Sequence, residues 1–350
     1  MRAWLRILTA ALAGLLAGVL APVLAGAPAT ARADGTGPGP DPTPSVTQVV
    51  VISLDGLTPR ALTRLGEAGT PVLHRMMRDG ASTLNARSAY ELTVTLPNHT
   101  SMVTGRQIAR AAGGHGVTWN DDRRVPATVQ GAAGGPVESV FSTVHATGRE
   151  TALFATKTKF SLWRRSWPEA MDRYEIRNDA DRAVTRSVRR DVLGHDRAFT
   201  FVHLGHTDVV GHARGWMSPV YLDAVRAADA YVGRILDAIA SAGETGETLV
   251  VVTADHGGRG RTHENPALYD DYRIPFLVLG PDVPAGTDLY DLNPAYRDPG
   301  TRRPTYLTRR QPIRNGVVAN LATDVLGIPA VQGSQVDAGQ DLDVFAATPR

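Results

Sequence analysis

The chain has 350 residues, of which 43% are hydrophobic and 21% are charged, and this composition is typical of a folded globular protein. It contains no cysteine, which excludes disulfides, thiolate zinc fingers, iron–sulfur clusters and a cysteine nucleophile, so any metal site has to use histidine and carboxylate ligands. The formal net charge of +2 gives no indication of a nucleic-acid partner.

The first 33 residues have the pattern of a secretory signal peptide. Arg2 and Arg6 precede a long apolar run, and residues 31–33 form the small-x-small motif Ala-Arg-Ala. Because the apolar run is near the shortest length that spans a membrane, an uncleaved anchor is the alternative; a cleaved leader leaves no stable span. We therefore expect a secreted protein with three segments: a signal peptide at 1–33, a Pro/Gly-rich linker at 34–47 and one folded domain at 48–350.

Short apolar runs alternate with amphipathic stretches from residue 49 onward. The apolar runs predict strands at 49–54, 151–155, 198–204, 248–253 and 274–279. The amphipathic stretches predict helices at 58–79, with a break near 69–71, and at 139–146, 179–192, 220–240 and 315–326. Residues 297–314, rich in arginine and proline, are expected to form a surface loop. This order predicts an α/β fold in which helices cover both faces of a mostly parallel central sheet.

Three of the predicted strands lead into an aspartate. Asp55 and Asp255 follow their strands closely, and Asp208 comes a few residues after the strand at 198–204. Ligands of open α/β sheets bind at the carboxyl ends of the strands, where three carboxylates would repel one another without a cation. A single aspartate at a strand end is usually a helix cap or turn former. Three of them with histidine neighbours favour a metal site.

The histidine spacing points to the same chemistry. Asp208 and His212 are four residues apart, so one helical turn would place both on one face. His256 directly follows Asp255, and His263 comes seven residues later. Imidazole and carboxylate ligands without thiolate suit Zn²⁺ or Mn²⁺ in a catalytic site.

The segment Thr95-Leu96-Pro97-Asn98-His99 supplies a possible nucleophile. Pro97 fits the first turn of a helix that would begin next to Thr95, and the free amides of a helix N-terminus favour an anion. A threonine hydroxyl is inert at neutral pH unless a base or a metal activates it. The alternative for this segment is a capped core helix without a catalytic role.

Together these motifs resemble the alkaline phosphatase superfamily, and within it the type I phosphodiesterase/nucleotide pyrophosphatase branch. They follow the family's order and span almost the whole mature chain: Asp55-Gly56, Thr95-Leu96-Pro97-Asn98-His99, His115-Gly116 leading to Asn120, Asp208-x-x-x-His212, Asp255-His256-Gly257 and His263. Formylglycine sulfatases share that fold, but their modified residue lies in a C/S-x-P-x-R frame that the segment at Thr95 lacks.

The resemblance implies an alkaline phosphatase-like fold and a two-metal hydrolase of small phosphorylated substrates. The two divalent ions, expected to be Zn²⁺, would be held by Asp55, Thr95, Asp255 and His256 and by Asp208, His212 and His263. Thr95 would attack phosphorus and form a phosphothreonine intermediate. Asn120 would bind substrate by donating a hydrogen bond to a non-bridging phosphate oxygen.

Two features bear on the substrate. Members of the branch usually have an aromatic residue after the nucleophile, where this chain has Leu96, and their last metal-binding histidine lies much farther downstream than His263. Both departures weaken the assignment to a strict nucleotide pyrophosphatase. Lys157 and Lys159 are the only lysines among 37 basic residues, which suggests that they bind an anionic substrate, as a similar pair does in phosphonoacetate hydrolases. Solvated surface lysines are the alternative.

Three functional hypotheses follow. The first is a phosphodiesterase of the nucleotide pyrophosphatase type. The second, which the lysine pair favours, is a phosphomonoesterase or a phosphonoacetate-type C–P hydrolase. The third, an inactive extracellular binding module, has no support in the sequence, because the nucleophile and every type of metal ligand are present.

Overall fold

The computed structural model describes residues 46–345. The predicted signal peptide at 1–33 lies outside the described residues, and so do residues 34–45 of the predicted linker. Within the described part of the chain, no helix is both long and apolar enough to cross a bilayer.

A single eight-stranded sheet forms the centre of the fold. Its strands are β1 (Gln48–Leu54), β2 (Ala81–Arg87), β3 (Thr151–Ala155), β4 (Arg173–Ile176), β5 (Phe199–Leu204), β6 (Thr248–Thr253), β7 (Arg273–Leu279) and β8 (Thr287–Asp288). They lie in the order β4-β3-β5-β1-β6-β7-β2-β8. Strands β4, β3, β5, β1 and β6 are parallel, and β7 runs antiparallel to its neighbours β6 and β2. The predicted mostly parallel sheet is confirmed.

Twelve helices among the described residues surround this sheet. They are α1 (Pro59–Gly69), α2 (Pro71–Asp79), α3 (Thr95–Thr104), α4 (Val129–Ala133), α5 (Val140–His145), α6 (Ser161–Ser166), α7 (Asp181–Val192), α8 (His206–Arg214), α9 (Pro219–Ala242), α10 (Tyr269–Tyr272), α11 (Leu289–Leu292) and α12 (Val318–Val325). Helices α1, α2, α7, α8 and α9 pack together in one layer, and α3, α5 and α12 in another. Both layers contact β5, directly through α7 and α5, so helices cover the sheet on two faces.

The position of β1 follows from its sequence. All seven of its residues are buried, and β5 and β6 flank it in the sheet. A continuous apolar run is what such a doubly covered parallel strand requires. The same pattern marks β3, β5 and β6, whose residues are all buried as well.

The predicted elements are present, with bounds that differ by a residue or two. The break in the first helix lies at Thr70, between α1 and α2, and the last predicted helix begins with a 3₁₀ turn at Asn315–Val317. Three strands were not predicted: β2, β4 and β8. Strand β2 is interrupted by polar residues, and β4 and β8 are short strands at the sheet edges.

The arginine-rich stretch 297–314 contains no helix or strand, as predicted, but only part of it is at the surface. Ile313 and Arg314 at its end are buried, and Arg314 donates to the carbonyl oxygens of Ser88 and Pro304. The end of this stretch is therefore tied to the segment that leads to α3.

Candidate metal centre

The carboxyl ends of three adjacent strands meet at one point. In the register of the sheet, Leu54 of β1 pairs with Leu204 of β5, and Ser53 pairs with Thr253 of β6. The residues that follow these three strands therefore emerge side by side. Asp55 comes from β1, Asp208 from α8 just after β5, and Asp255 from the turn after β6, as expected for a ligand site in an open α/β sheet.

Asp55, Asp255 and His256 form the first group of potential metal ligands, whose ligand atoms all lie within 4.8 Å of one another. The Nε2 of His256 is 3.1 Å from Asp255 Oδ2 and 3.4 Å from Asp55 Oδ1. All three residues are fully buried. Thr95 Oγ1 lies 3.5 Å from the same His256 Nε2, at the first residue of α3.

Asp208, His212 and His263 form the second group. Asp208 and His212 lie one turn apart on α8, with His212 Nε2 3.4 Å from Asp208 Oδ1. His263 Nε2 is 3.7 Å from that same oxygen and 3.1 Å from His212 Nε2. The two groups are adjacent, because the rings of His256 and His263 stack with their centroids 3.6 Å apart.

The hydrogen-bond pattern fits divalent metal ions at both groups. One buried oxygen of each aspartate, namely Asp55 Oδ1, Asp208 Oδ1 and Asp255 Oδ2, has no hydrogen-bond partner among residues 46–345. Such buried unpaired oxygens are costly unless a ligand satisfies them. Each of these oxygens faces a histidine of its own group, so one metal ion at each group would satisfy all three.

The three histidines are also oriented as metal ligands. The Nδ1 of His212, His256 and His263 faces a backbone carbonyl oxygen, at 3.1, 2.9 and 2.5 Å respectively. A carbonyl oxygen only accepts, so each Nδ1 carries the proton and each Nε2 lone pair points toward the aspartates. Fixing the tautomer in this way is the usual function of the outer hydrogen bond of a metal-binding histidine.

Burial sets the charge of this site. It lowers the pKa of His256, and burial together with the nearby His256 lowers the pKa of His263 to about 3, so both imidazoles are neutral at neutral pH and able to bind metal. Burial and the Asp55 carboxylate raise the pKa of Asp255 well above its usual value. Burial alone would raise the pKa of Asp55 too, but Lys157 and His203 hold it well below its usual value.

Lys157 and Lys159 lie next to the site but make different contacts. Lys157 Nζ is 2.6 Å from Asp55 Oδ2 and 2.7 Å from Asp208 Oδ2, so it joins one carboxylate of each group. Lys159 Nζ donates instead to Asn120 Oδ1, at 2.8 Å. The sequence placed both lysines near the strand ends but gave no indication that they have different partners.

Asn120 lies beside the start of α3. Its Oδ1 accepts hydrogen bonds from the Leu96 backbone N–H at 3.0 Å and from Lys159. These two donors assign the amide oxygen, so the Nδ2 group points away from them, and it donates to no residue of the described chain. Asn120 therefore has a free, oriented donor close to Thr95.

Sequence reasoning missed several residues that support the ligands. His203 Nε2 lies 2.9 Å from Asp55 Oδ2, and a histidine within an otherwise apolar strand was the available signal.

Trp216 donates from Nε1 to the Gly56 carbonyl oxygen and packs edge-on against His212 and His263. Its ring fills the space that a Cβ on Gly258 would need, at 2.3 Å, which explains that glycine. No local pattern marks Trp216.

Comparison with known proteins gives one family and one fold. The family model described as type I phosphodiesterase / nucleotide pyrophosphatase matches residues 49–269, a range that contains every potential ligand described above. A search among curated protein sequences gives no match.

Among solved structures, murine ectonucleotide pyrophosphatase / phosphodiesterase 5 superposes with a TM-score of 0.63 at 14% identity, covering 85% of this chain and 100% of that one. An inactive threonine-to-alanine variant of the murine protein in complex with AMP gives 0.62 at 13% identity, covering 81% and 96%. The human protein gives 0.58 at 13% identity, with the same coverage of 81% and 96%. At these identities the similarity shows the fold.

Replacing His203 tests whether the outer hydrogen bonds support metal binding. We expect His203→Ala to weaken zinc affinity about 10- to 100-fold, because Asp55 loses a neutral donor that orients it. Competition with a chromophoric chelator measures this affinity. His195→Ala is the matched control, since His195 is exposed and should leave affinity unchanged. Equal affinity in both variants would contradict the assignment of His203.

Proposed function

This chain belongs to the type I phosphodiesterase / nucleotide pyrophosphatase family, and we propose that it is a secreted two-metal phosphodiesterase that acts through a phosphothreonine intermediate. Family membership makes it a phosphoric ester hydrolase of a metal-dependent class. The observation that carries the proposal is the set of three unpartnered carboxylate oxygens facing three imidazole Nε2 atoms beside the Thr95 hydroxyl.

The proposed metal ligands form two sets, which correspond to the two groups of residues described above. One divalent ion, for which we propose Zn²⁺, would be held by Asp55, Thr95, Asp255 and His256, and the other by Asp208, His212 and His263. Bound there, the two ions would supply Lewis-acid stabilisation for the entering and leaving oxygens of an in-line displacement and lower the pKa of the threonine hydroxyl. The remaining steps depend on the protein's own groups.

Thr95 is positioned for attack on phosphorus. It is the first residue of α3, and its side chain is buried at 1% exposure, with Oγ1 directed at His256. In the proposed reaction the Thr95 Oγ–P bond forms as the ester oxygen leaves, and water then hydrolyses the phosphothreonine. The amides and dipole at the start of α3 favour the negative charge that the phosphoryl group brings.

Asn120 would stabilise the phosphoryl group directly. Its Nδ2 group is free to donate to a non-bridging oxygen, because Leu96 N–H and Lys159 Nζ already occupy its Oδ1. Removing one such preorganised donor typically lowers turnover by about 10²- to 10³-fold. Lys159 thus orients Asn120, and its ammonium group adds positive charge next to the proposed phosphate position.

The related murine protein supports both the nucleophile and the substrate class. Its variant described as inactive replaces a threonine by alanine, and that variant was solved with AMP. AMP is a nucleoside monophosphate, the kind of product that hydrolysis of a nucleotide-type diester releases, so a small nucleotide-type phosphodiester is the substrate class that we propose for this chain. The leader at residues 1–33 is the basis for proposing secretion.

The contacts of the lysine pair favour a diesterase over the second hypothesis. A phosphomonoesterase or phosphonoacetate-type hydrolase needs a cation that binds an extra anionic group of the substrate. Lys157 is engaged by two carboxylates, so of the two ammonium groups only that of Lys159, which donates to a neutral amide oxygen, could meet such a group. That both lysines bind substrate stays a prediction, which these contacts favour more for Lys159 than for Lys157.

Replacing Thr95 tests the nucleophile. We expect Thr95→Ala to lower the kcat for a phosphodiester by several orders of magnitude, on the order of 10³-fold or more, because no covalent intermediate can form. Zinc content, measured by elemental analysis, should remain close to two ions per chain, since the six other ligands stay in place. Thr95→Ser keeps a hydroxyl and should retain part of the activity. Full activity of Thr95→Ala would remove Thr95 from this function.

A substrate panel on the zinc-loaded enzyme separates the two enzymatic hypotheses. We expect kcat/KM to be highest for a nucleotide-type phosphodiester and at least about tenfold lower for a phosphomonoester and for phosphonoacetate, because Lys157 is ion-paired and at most the ammonium group of Lys159 meets their additional charge. Chelation should abolish all turnover, and zinc should restore it. A preference for the monoester or the phosphonate would favour the second hypothesis. If the protein hydrolyses none of these substrates, the inactive binding module is favoured.

A further inference from the structure

Lys157 occupies an unusual position between the two groups of potential ligands. Its Nζ contacts Asp55 at 2.6 Å and Asp208 at 2.7 Å, and in both cases the contacted atom is Oδ2. The other oxygen of each carboxylate, Oδ1, faces the histidines and has no hydrogen-bond partner within the described residues. Lys157 thus holds each carboxylate by the oxygen that a metal ion would not use.

The charges of the site explain why a cation is needed there. Asp55, Asp208 and Asp255 are buried at 0%, 5% and 0% exposure, so three carboxyl groups are held together away from water. Among the described lysines and arginines, only Lys157 forms an ion pair with any of these aspartates. Buried carboxylates without a positive partner strongly destabilise a fold.

The side chain of Lys157 is held in this position by its surroundings. It is itself buried, with 9% of its surface exposed, and it lies two residues after the last residue of β3, Ala155. Its stem passes Gly205, where an added Cβ would lie 3.3 Å from Lys157 Cε. The position of Lys157 after β3, in the same sheet as β1 and β5, therefore places its ammonium group next to the two carboxylates.

We propose that Lys157 is the internal counter-ion of the metal-free site, a positioning residue that keeps Asp55 and Asp208 together before metal ions bind. This inference rests on the metal-binding function proposed above. Two divalent ions bring four positive charges, so the loaded site depends much less on the ammonium group. A secreted chain that folds before it acquires metal would benefit from a site that is already assembled.

The proposal has a thermodynamic consequence with a definite sign. A group that stabilises the metal-free state more than the loaded state must weaken metal binding by the same factor. Lys157 therefore makes the empty site more stable and the bound metal less tightly held. In this respect it differs from His203, a neutral donor that orients Asp55 without opposing the charge of a metal ion.

The test compares Lys157→Met with Lys159→Met, a matched change at the other lysine, whose partner is an amide. Melting temperatures are measured for the full chain after chelator dialysis and at saturating zinc. We expect Lys157→Met to lower the Tm of the metal-free protein by on the order of 10 °C, and that of the zinc-loaded protein by less than half as much. Its zinc dissociation constant should fall at least about tenfold. Lys159→Met should shift both melting temperatures little and equally.

The absence of cysteine from the chain allows a direct rescue. Lys157→Cys introduces a unique thiol, which bromoethylamine converts to a close analogue of lysine and which iodoethane converts to an uncharged analogue. Alkylation is done on the unfolded chain, before refolding, because the position is buried. We expect the aminoethylated protein to recover the metal-free Tm of the wild type and the ethylated protein to remain low. This comparison also serves if Lys157→Met folds poorly.

Several results would overturn the inference. An equal loss of Tm with and without zinc would indicate a packing function, and weaker zinc binding would mean that the loaded site needs Lys157 as well. Unchanged melting temperatures, together with a higher KM, would assign Lys157 to the substrate. If wild-type protein shows no zinc-dependent change in Tm, the proposed metal site itself fails and the inference with it, so the two failures are distinguishable.

Discussion

The burial of three carboxylates at one point is the constraint on which the rest of the site depends. Asp55, Asp208 and Asp255 are buried together. Negative charges on neighbouring buried carboxylates repel one another unless positive charge or hydrogen-bond donors lie among them. The structure supplies a lysine and a neutral histidine on the outer side, and three imidazole nitrogens on the inner side. The inner oxygens that are left without partners define where metal ions fit.

The fold creates this crowding through its topology. Strand β1 lies between β5 and β6, and all three run in the same direction, so the residues after their ends have to meet. Strand β3 is the next neighbour of β5 and brings Lys157 to the same edge. Helix α3 begins at Thr95, beside this edge, and so places a hydroxyl group and a helix N-terminus next to the carboxylates. The chemistry is therefore assembled from segments that are distant in sequence and adjacent in the sheet.

The parts of this arrangement that sequence could predict obey local or general rules. Aspartates at strand ends, a pair spaced by one helical turn and a proline in the first turn of a helix each follow from known geometry, and the structure brings Asp55, Asp208, His212 and Thr95 together accordingly. The fold class follows from the alternation of apolar runs with amphipathic stretches, because a buried parallel strand needs apolar residues on both faces.

What sequence could not predict depends on contacts between distant segments. Strand β2 carries polar residues and so lacks an apolar run, and it forms only because β7 and β8 offer it partners. Lys157 lies just before the 3₁₀ turn at Thr158–Phe160 and Lys159 lies within it, and no local pattern shows that the first meets carboxylates and the second an amide oxygen. Trp216 acquires its position because its ring lies against Gly211 of α8 and against Gly258, and because its Nε1 donates to the Gly56 carbonyl oxygen.

The most direct test of the account is anomalous diffraction at the zinc absorption edge from crystals of zinc-loaded protein. The account predicts two peaks roughly 4 Å apart, one between Asp55, Asp255, His256 and Thr95, and the other between Asp208, His212 and His263. A map with no peak at these residues, or with zinc bound elsewhere on the chain, would contradict it.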